Sequence, residues 1–264
     1  MTIIQQTADH AWLVVLQQIL SKGEPLSPRG QPTQEILHNS AAFDMQHPVV
    51  LNPQRKLSYV FMAAEALWIL RGSDRCDEIV PYNKNIASFS DNGRTFQGAY
   101  GPPISSQLGY IVQQLNHDPA TRQAVLTIWQ PNPRPSKDIP CTVALTFNIR
   151  NNRLNCHAFM RSSDAWLGWP YDVFNFTMIA ALVICRLKAN TLRLGTLFWT
   201  GVSSHLYEQH VEQAQQCLGV NLLPQYLPLP QEITQNEDAL LSLLKAIRDK
   251  QDATTWSPRH APQP

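Results

Sequence analysis

Two apolar runs joined by a short polar turn constrain the fold of this chain more than any other feature. The runs CTVALTFNI and LNCHAFM flank Arg150 to Arg153, whose sequence RNNR is typical of a hairpin turn. A further run, AVLTIW, precedes them, and LRLGTLFW follows after an apolar helix. The pattern predicts a sheet built around one hairpin.

Segments with helical spacing lie on both sides of these strands. They are predicted at 9–21, 56–71, 104–115, 174–187, 203–218 and 237–249. Gly72 is a plausible C-cap of the second helix, and Ser203 a plausible N-cap of the fifth. This order predicts an α+β fold with a mixed or antiparallel sheet packed against helices. A single domain over residues 1–264 is expected.

Composition and charge argue against several classes of protein. The formal net charge is +1, which gives no reason to expect a nucleic-acid or membrane-surface binder. The apolar runs are shorter than the ~20 residues that span a bilayer, and we find no export signal. The five cysteines are scattered without CxxC or His/Cys metal spacing, so no metal is expected. We expect a reduced, cytoplasmic protein.

Cys141 is the candidate nucleophile. It follows Pro140 and opens a predicted strand, so its thiol can project at a sheet end. A reactive thiolate needs positive charge nearby, and Arg122, Arg134 and Arg161 are available in the sequence. The alternative is a buried structural cysteine, because free cysteine is among the most buried residue types.

Other polar residues are candidates for binding. Arg161 and Ser162 can bind phosphate through a guanidinium and a hydroxyl, although most arginines lie on solvated faces. His205 and Tyr207 can point toward a sugar hydroxyl or pack at a helix end. Glu65 lies among Ala, Leu and Trp, where a carboxylate is costly unless it is paired or functional.

Taken in order, these motifs resemble the thymidylate synthase family. The matching blocks are Pro140-Cys141, RSSDAWLG at 161–168, HLY at 205–207, EALWILRG at 65–72 and GAYG at 98–101. The similarity spans roughly 29–219 and leaves 220–264 unmatched. Within the family, the pattern is similar to that of the phage deoxycytidylate hydroxymethylases.

The resemblance implies a set of roles. Cys141 would attack C6 of a pyrimidine, and Glu65 and Tyr100 would form the proton-transfer and water network. 5,10-Methylenetetrahydrofolate would be the co-substrate, with Asp164, Gly168 and Trp68 as its contacts. The sugar would be bound by His205 and Tyr207. The phosphate would be bound by Arg29, Arg122, Arg161 and Ser162. Arg122 would come from the second chain of a homodimer whose interface is a sheet face.

Asp172 is the most informative departure from the family pattern, which has asparagine in this Gly-x-Pro-x-Asn context. An amide donates and accepts, so it complements uracil, whereas a carboxylate only accepts. Cytosine offers an amino donor, and its N3 gains a proton when a thiolate adds at C6. Asp172 therefore indicates a cytosine base and a catalytic role. The alternative is a helix N-cap, where aspartate is favoured.

Two further departures concern other parts of the site. Gln123 stands where the family usually has a second arginine, so phosphate binding should be weaker or otherwise compensated. The C-terminal segment TTWSPRHAPQP differs from the short apolar terminus that closes over the site in the family.

The sequence thus predicts C5-hydroxymethylation of a cytidylate, with dCMP favoured. Alternatives within the fold are a CMP-specific hydroxymethylase, a cytidylate C5-methyltransferase and a thymidylate synthase acting on dUMP. An inactive nucleotide-binding homologue would need neither Cys141 nor Glu65. A Cys–His hydrolase would require a histidine beside Cys141, and no spacing identifies one, since His157 is better explained as a hairpin residue.

Overall fold

The computed structural model describes residues 3–189, 191–219 and 226–250 of the chain. Within these ranges the strands are β1 (Ile4–Gln5), β2 (Glu24–Leu26), β3 (Thr33–Asp44), β4 (Val125–Thr127), β5 (Thr142–Arg150), β6 (Arg153–Asp164) and β7 (Arg193–Tyr207). The helices in the same ranges are α1 (Ala8–Lys22), α2 (Tyr59–Leu70), α3 (Cys76–Ile79), α4 (Gly101–His117), α5 (Trp169–Arg186), α6 (Val211–Gly219) and α7 (Glu237–Arg248).

The strands form one mixed sheet with the order β1-β3-β7-β6-β5-β4, and β2 pairs with β3. β5 and β6 are antiparallel, whereas β6 and β7 are parallel. The hairpin turn lies where the sequence predicts it, because Arg150 pairs with Arg153. Asn151 and Asn152 have φ angles of 52° and 57°, which suit a tight turn of the right twist. The predicted α+β architecture with a mixed sheet against helices is confirmed.

Helix α5 is the centre of the core. Most of its side chains are buried, as its nearly continuous apolar sequence requires. Trp169 at its start packs edge-on against Trp199 of β7, with ring centroids 6.2 Å apart, and against Phe43 of β3 at 6.3 Å. Helix α2 packs beside α5. Any polar side chain on these two helices therefore sits in largely apolar surroundings.

The loop between β6 and α5 is fixed by buried hydrogen bonds. Trp12 Nε1 donates to the carbonyl oxygen of Ala165 over 2.7 Å. Arg55 donates twice to the carbonyl of Trp166, at 3.0 and 2.7 Å, and its guanidinium lies over the Trp166 ring. These contacts fix the residues that lead into α5, and so orient the first turn of that helix.

Two sequence predictions are wrong in this region of the sheet. Residues 203–207 are not the start of a helix but the end of β7, and α6 begins only at Val211. The segment pairs with β3 on one side and β6 on the other, so sheet hydrogen bonds override the local capping signal at Ser203. The polar segment SKGEPLSPRGQPTQE at 21–35, whose Pro and Gly residues predict a loop, instead contains β2 and the start of β3.

One face of the sheet exposes apolar side chains. Phe159 of β6 is 49% exposed and Val202 of β7 is 58% exposed. On the same strands His157 stacks on Phe198, with ring centroids 4.5 Å apart. Contiguous apolar surface of this kind is typical of a protein interface.

Across the described residues, no helix combines the length and apolarity that crossing a bilayer requires.

Candidate active site

A cavity of about 180 Å³ lies between α2, α5 and the turn before α4. Its polar lining consists of Glu65, Tyr100, Asp138, Asp172 and Asn175. Trp68 and Phe96 contribute aromatic walls, and their rings meet edge-on with centroids 5.9 Å apart. A second cavity of about 500 Å³ shares Phe96, Gly98 and Ala99 with it and extends to Pro140.

Cys141 lies immediately before β5, next to a guanidinium. Arg161 Nη2 is 3.8 Å from the Cys141 sulfur, and the Arg161 side chain donates to the carbonyls of Pro140 and Ile139, at 2.9 Å each. Burial raises the pKa of the Cys141 thiol, and the charge of Arg161 opposes that shift without cancelling it. The nearby arginine is therefore present as predicted, but the thiol stays largely neutral until something further favours the thiolate.

Asp172 lies in the first turn of α5, and its side chain lines the cavity. Gly168 is the N-cap of the helix, without a side-chain hydrogen bond, so the N-cap alternative for Asp172 is wrong. Burial raises the pKa of the Asp172 carboxyl well above its usual range, and the nearby carboxyls of Glu65 and Asp164 add to the shift. The carboxyl therefore favours its neutral form in the free protein, and a neutral carboxyl can donate as well as accept.

Glu65 and Asn175 form a buried pair across the α2–α5 interface. The Asn175 amide donates to Glu65 Oε2 over 2.7 Å. Burial raises the pKa of Glu65 to about 7, and the hydrogen bond from Asn175 acts in the opposite direction. Asn175 was not predicted from the sequence. Its position three residues after Asp172 in a helix, which puts both on one face, would have identified it.

Tyr100 lies close to both Cys141 and Asp172. Its hydroxyl oxygen accepts a hydrogen bond from the Thr142 hydroxyl over 2.9 Å. Burial raises the pKa of Tyr100 well above its usual range, and the charges of Asp172 and Cys141 add to the shift. The phenol is therefore a neutral hydrogen-bonding group close to both residues.

The residues predicted to contact the folate, Asp164, Trp68 and Gly168, lie near Asp172 or line its cavity. Asp164 Oδ1 accepts from the backbone N–H groups of Trp166 and Leu167, at 2.8 and 2.9 Å, which orients its carboxylate. Trp68 lines the cavity and donates to the carbonyl of Arg75. Gly168 lies next to the Asp172 carboxyl, since a Cβ added at Gly168 would be 3.4 Å from an Asp172 oxygen, an ordinary van der Waals contact.

Asp138 is a cavity carboxyl that the sequence analysis missed. Its Oδ2 accepts from the backbone N–H of Gly98 over 2.7 Å, and burial raises its pKa. Nothing in the local sequence KDIPC distinguishes it from an exposed aspartate.

His205 and Tyr207 project two residues apart from β7, with their rings edge-on and the centroids 5.4 Å apart. Strand pairing brings His205 opposite Asp164, and Ser203 opposite Ser162. The Ser203 hydroxyl donates to Glu35. Burial lowers the pKa of His205, so the imidazole is a neutral hydrogen-bonding group at physiological pH.

The two remaining arginines differ in location. Arg29 is exposed in a short turn of left-handed backbone (φ 54°), and its charge acts on His205. Arg122 is exposed and follows α4. Arg150 donates to the carbonyl of Ala120, so this turn lies at the end of β5 opposite to Cys141. The two ends of β5 are roughly 26 Å apart at ~3.3 Å per residue. Arg122 therefore does not reach Cys141 within one chain.

Two alternative chemistries find no support. Among the described residues, no histidine hydrogen-bonds to Cys141, and His157 stacks on Phe198 instead. Within those same ranges, no cluster of histidine, cysteine or acidic residues could hold a metal ion. The C-terminal segment TTWSPRHAPQP lies outside the described residues.

Comparison with known proteins identifies a matching family model and a related phage protein. A protein-family model described as "Thymidylate synthase" matches residues 10–239, a longer stretch than the motifs alone cover. A relative described as a deoxyuridylate hydroxymethyltransferase, from Bacillus phage SP01, is 27% identical over 248 residues. The match covers 84% of this chain and 64% of that protein, so the chain spans less than two thirds of the relative's length.

Proposed function

The chain belongs to the thymidylate synthase family, and from this premise we propose that it hydroxymethylates C5 of a cytidine monophosphate. We favour dCMP as the substrate and 5,10-methylenetetrahydrofolate as the one-carbon donor. The observation that carries the proposal is the carboxyl of Asp172, which faces the same cavity as Glu65. Support for a one-carbon transfer also comes from the name of the phage relative.

Recognition of the base rests on one proton shared between Asp172 and cytosine. The neutral carboxyl donates to N3 through its O–H and accepts from the exocyclic amino group through its carbonyl. When sulfur adds at C6, N3 becomes more basic and takes the proton from Asp172. The pair then becomes a carboxylate facing two N–H donors, which is a charge-assisted interaction that strengthens toward the transition state.

Uridylate is the second candidate substrate, and two observations favour it. The phage relative is named for deoxyuridylate, and the raised pKa of Asp172 allows a neutral carboxyl to donate to O4 of uracil. The carboxylate form would instead repel O4, most strongly when negative charge develops there. Loss of the Asp172 proton should weaken recognition of both bases, because the carboxylate would also face the lone pair on N3 of unprotonated cytosine.

Cys141 begins the reaction. Its sulfur bonds to C6, the C5=C6 π electrons move into the ring, and C5 becomes the nucleophile. Arg161 would stabilise the thiolate from 3.8 Å and would also contribute to phosphate binding. Because the thiol pKa is raised, kcat/KM should increase with pH in the range where the thiolate forms.

We expect the pterin ring of the folate to bind at the wall of this cavity. Its wall combines the rings of Trp68 and Phe96 with the carboxyl of Asp138, as suits a flat ring with N–H donors. Methylenetetrahydrofolate would supply the one-carbon unit at this site. Asp164, which two backbone N–H groups orient, would hold the pterin. Tyr100 and Glu65 would form the proton-transfer and water network, with Tyr100 serving the loss of the C5 proton and Glu65 serving the later attack by water.

The sugar and phosphate would lie along β6 and β7. His205 and Tyr207 would bind the 3′ hydroxyl, and Ser162 and Arg29 would bind the phosphate. Arg122 would come from a second copy of the chain, since it lies far from Cys141 in its own chain. The exposed apolar sheet face that includes Phe159 and Val202 supports a homodimer.

A product assay tests the proposal. The protein is incubated with dCMP, CMP or dUMP plus methylenetetrahydrofolate, and the nucleotide and folate products are identified by mass. We expect dCMP to gain CH2O with release of tetrahydrofolate. A gain of CH2 with dihydrofolate would identify a methyltransferase instead. Faster turnover of dUMP or CMP would reassign the substrate, and absence of turnover would indicate an inactive homologue.

A further inference from the structure

We propose that Asn175 holds the water molecule that attacks the exocyclic carbon of the nucleotide, with Glu65 as the acceptor of that water's proton. This inference rests on the proposed hydroxymethylation and names the positioning residue that directs its last step. Asn175 would thus act only in the attack by water, whereas Cys141 and Tyr100 would serve the earlier steps.

The position of Asn175 is the first argument. It follows Asp172 by three residues in α5, so both side chains face the same cavity, together with Glu65 of α2. Only 2% of the residue is exposed. A water held by Asn175 would therefore lie between the group that reads the base and the group that can take a proton.

The second argument is an acceptor without a partner. Asn175 Nδ2 donates to Glu65, yet its Oδ1 is buried and has no hydrogen-bond partner among the described residues. A buried polar atom in this state costs free energy that native structures usually avoid. A water in the cavity would satisfy Oδ1 by donating to it.

The surroundings suit a single reactive water. The water can donate one hydrogen to Asn175 Oδ1 and the other to Glu65, which leaves an oxygen lone pair free to attack. Asn175 also holds Glu65 in place from 2.7 Å, so one side chain orients both the nucleophile and its base. A purely structural Asn–Glu pair would need no unpaired oxygen toward the cavity.

The step balances without a further reagent. The water oxygen bonds to the exocyclic carbon, and the π electrons of that C=C bond move into the ring. Glu65 takes the water's proton. Elimination of the Cys141 sulfur from C6 then restores the C5=C6 bond and regenerates the thiolate.

A single-turnover experiment with excess enzyme, dCMP carrying tritium at C5 and methylenetetrahydrofolate tests this role. Tritium release reports the loss of the C5 proton, and quenched samples report hydroxymethylated nucleotide. In Asn175→Leu, which keeps the branched shape of the side chain but removes both polar atoms, we expect tritium release within about 3-fold of wild type. Hydroxymethyl formation should slow about 10² fold, as for loss of general-base geometry, and nucleotide should accumulate covalently on the enzyme.

Thr177→Val is the matched control. Thr177 is buried in the same helix, and its hydroxyl donates only to the backbone of Val173 among the described residues, so both rates should remain at wild-type values. Asn175→Ala is a second variant that adds no bulk, should the leucine disturb folding. Equal slowing of both steps, or unchanged product formation, in the folded variant would overturn the inference. Failure of the proposed function appears separately, as a wild-type product without CH2O.

Discussion

The two sides of the candidate site differ in the charge and the burial of their side chains. On one side, Glu65 and Asp172 project from the packed helices α2 and α5 into a small cavity, and burial raises the pKa of both carboxyls. On the other side, Arg29 and Arg122 lie exposed on turns. Arg161 lies between the two sides, hydrogen-bonded to the backbone beside Cys141.

Under the proposed function, this difference separates the groups that would do the chemistry from the groups that would bind the phosphate. Buried carboxyls cost stability when they ionise, and they are retained in native proteins mainly where function requires them. Exposed arginines cost little, and they can be supplied by flexible turns or by a second chain. The carboxyl side lies within one chain, whereas the proposed arginine side would take Arg122 from a second chain.

The largest effect is expected at the residue where the two sides meet. Cys141→Ser should reduce turnover about 10⁴-fold or more, because the covalent route is lost while the cavity persists. Cys185→Ser is the control, because that thiol donates to the carbonyl of Ile233 outside the cavity. Turnover of both variants would be measured by product mass. If Cys141→Ser kept its activity, the reaction would not proceed through the Cys141 sulfur, and the two sides would not serve one covalent route.

The carboxyl side should show a trade-off between activity and stability. Glu65→Gln keeps the size of the side chain but removes its charge, so turnover should fall about 10²- to 10³-fold. The pKa of Glu65 is raised from 4.5 to about 7, so wild type loses folding free energy as the pH rises through this range. The variant should therefore be more stable by about 1 kcal/mol at pH 5 and up to about 3 kcal/mol at pH 8.

Denaturant unfolding at the two pH values measures this trade-off. Asp44→Asn is a control for the loss of one carboxylate, since Asp44 is partly exposed and away from the cavity. A stability difference that does not grow with pH would mean that Glu65 is not forced to ionise in an apolar site.

The arginine side should respond to mixing of chains. Arg122→Ala should raise KM for the nucleotide about 10-fold, the loss of one charge-assisted phosphate contact. Because Arg122 lies at the far end of β5 from Cys141, a mixture of Arg122→Ala with the inactive Cys141→Ser variant should form dimers with one intact site. Activity of the mixture at low nucleotide should exceed that of Arg122→Ala alone. An unchanged activity after subunit exchange would place Arg122 outside the site.

Much of the framework is predictable from the sequence because it depends on local patterns. The hairpin around Arg150–Arg153 and the helices near residues 9–21, 56–71, 104–115 and 237–249 follow from apolar periodicity and turn residues. Glu65 and Asp172 stand out because a carboxyl conflicts with apolar neighbours, and Cys141 stands out because it follows Pro140 at the start of a predicted strand. The structure brings Glu65, Tyr100 and Asp172 to one cavity, with Cys141 close by.

The rest depends on contacts between distant segments. The end of β7 looks like a helix start, but pairing with β3 and β6 makes it a strand. Asn175 and Asp138 carry no local sign of their location in the cavity, because burial by α2 and by the turn at Gly98 creates it. The pKa of Asp172 also depends on this burial, and it changes the expected acceptor-only group into one that can donate.

The selectivity of Asp172→Asn tests the central claim most directly. Initial rates with dCMP and dUMP would be compared for wild type and variant at one pH, with methylenetetrahydrofolate saturating. If the carboxyl shares a proton with N3 of cytosine, the variant should lose dCMP turnover and gain dUMP turnover, and the ratio of the two kcat/KM values should move by about 10² or more. An unchanged ratio in a folded variant would contradict the account, because the base would then be read by another group.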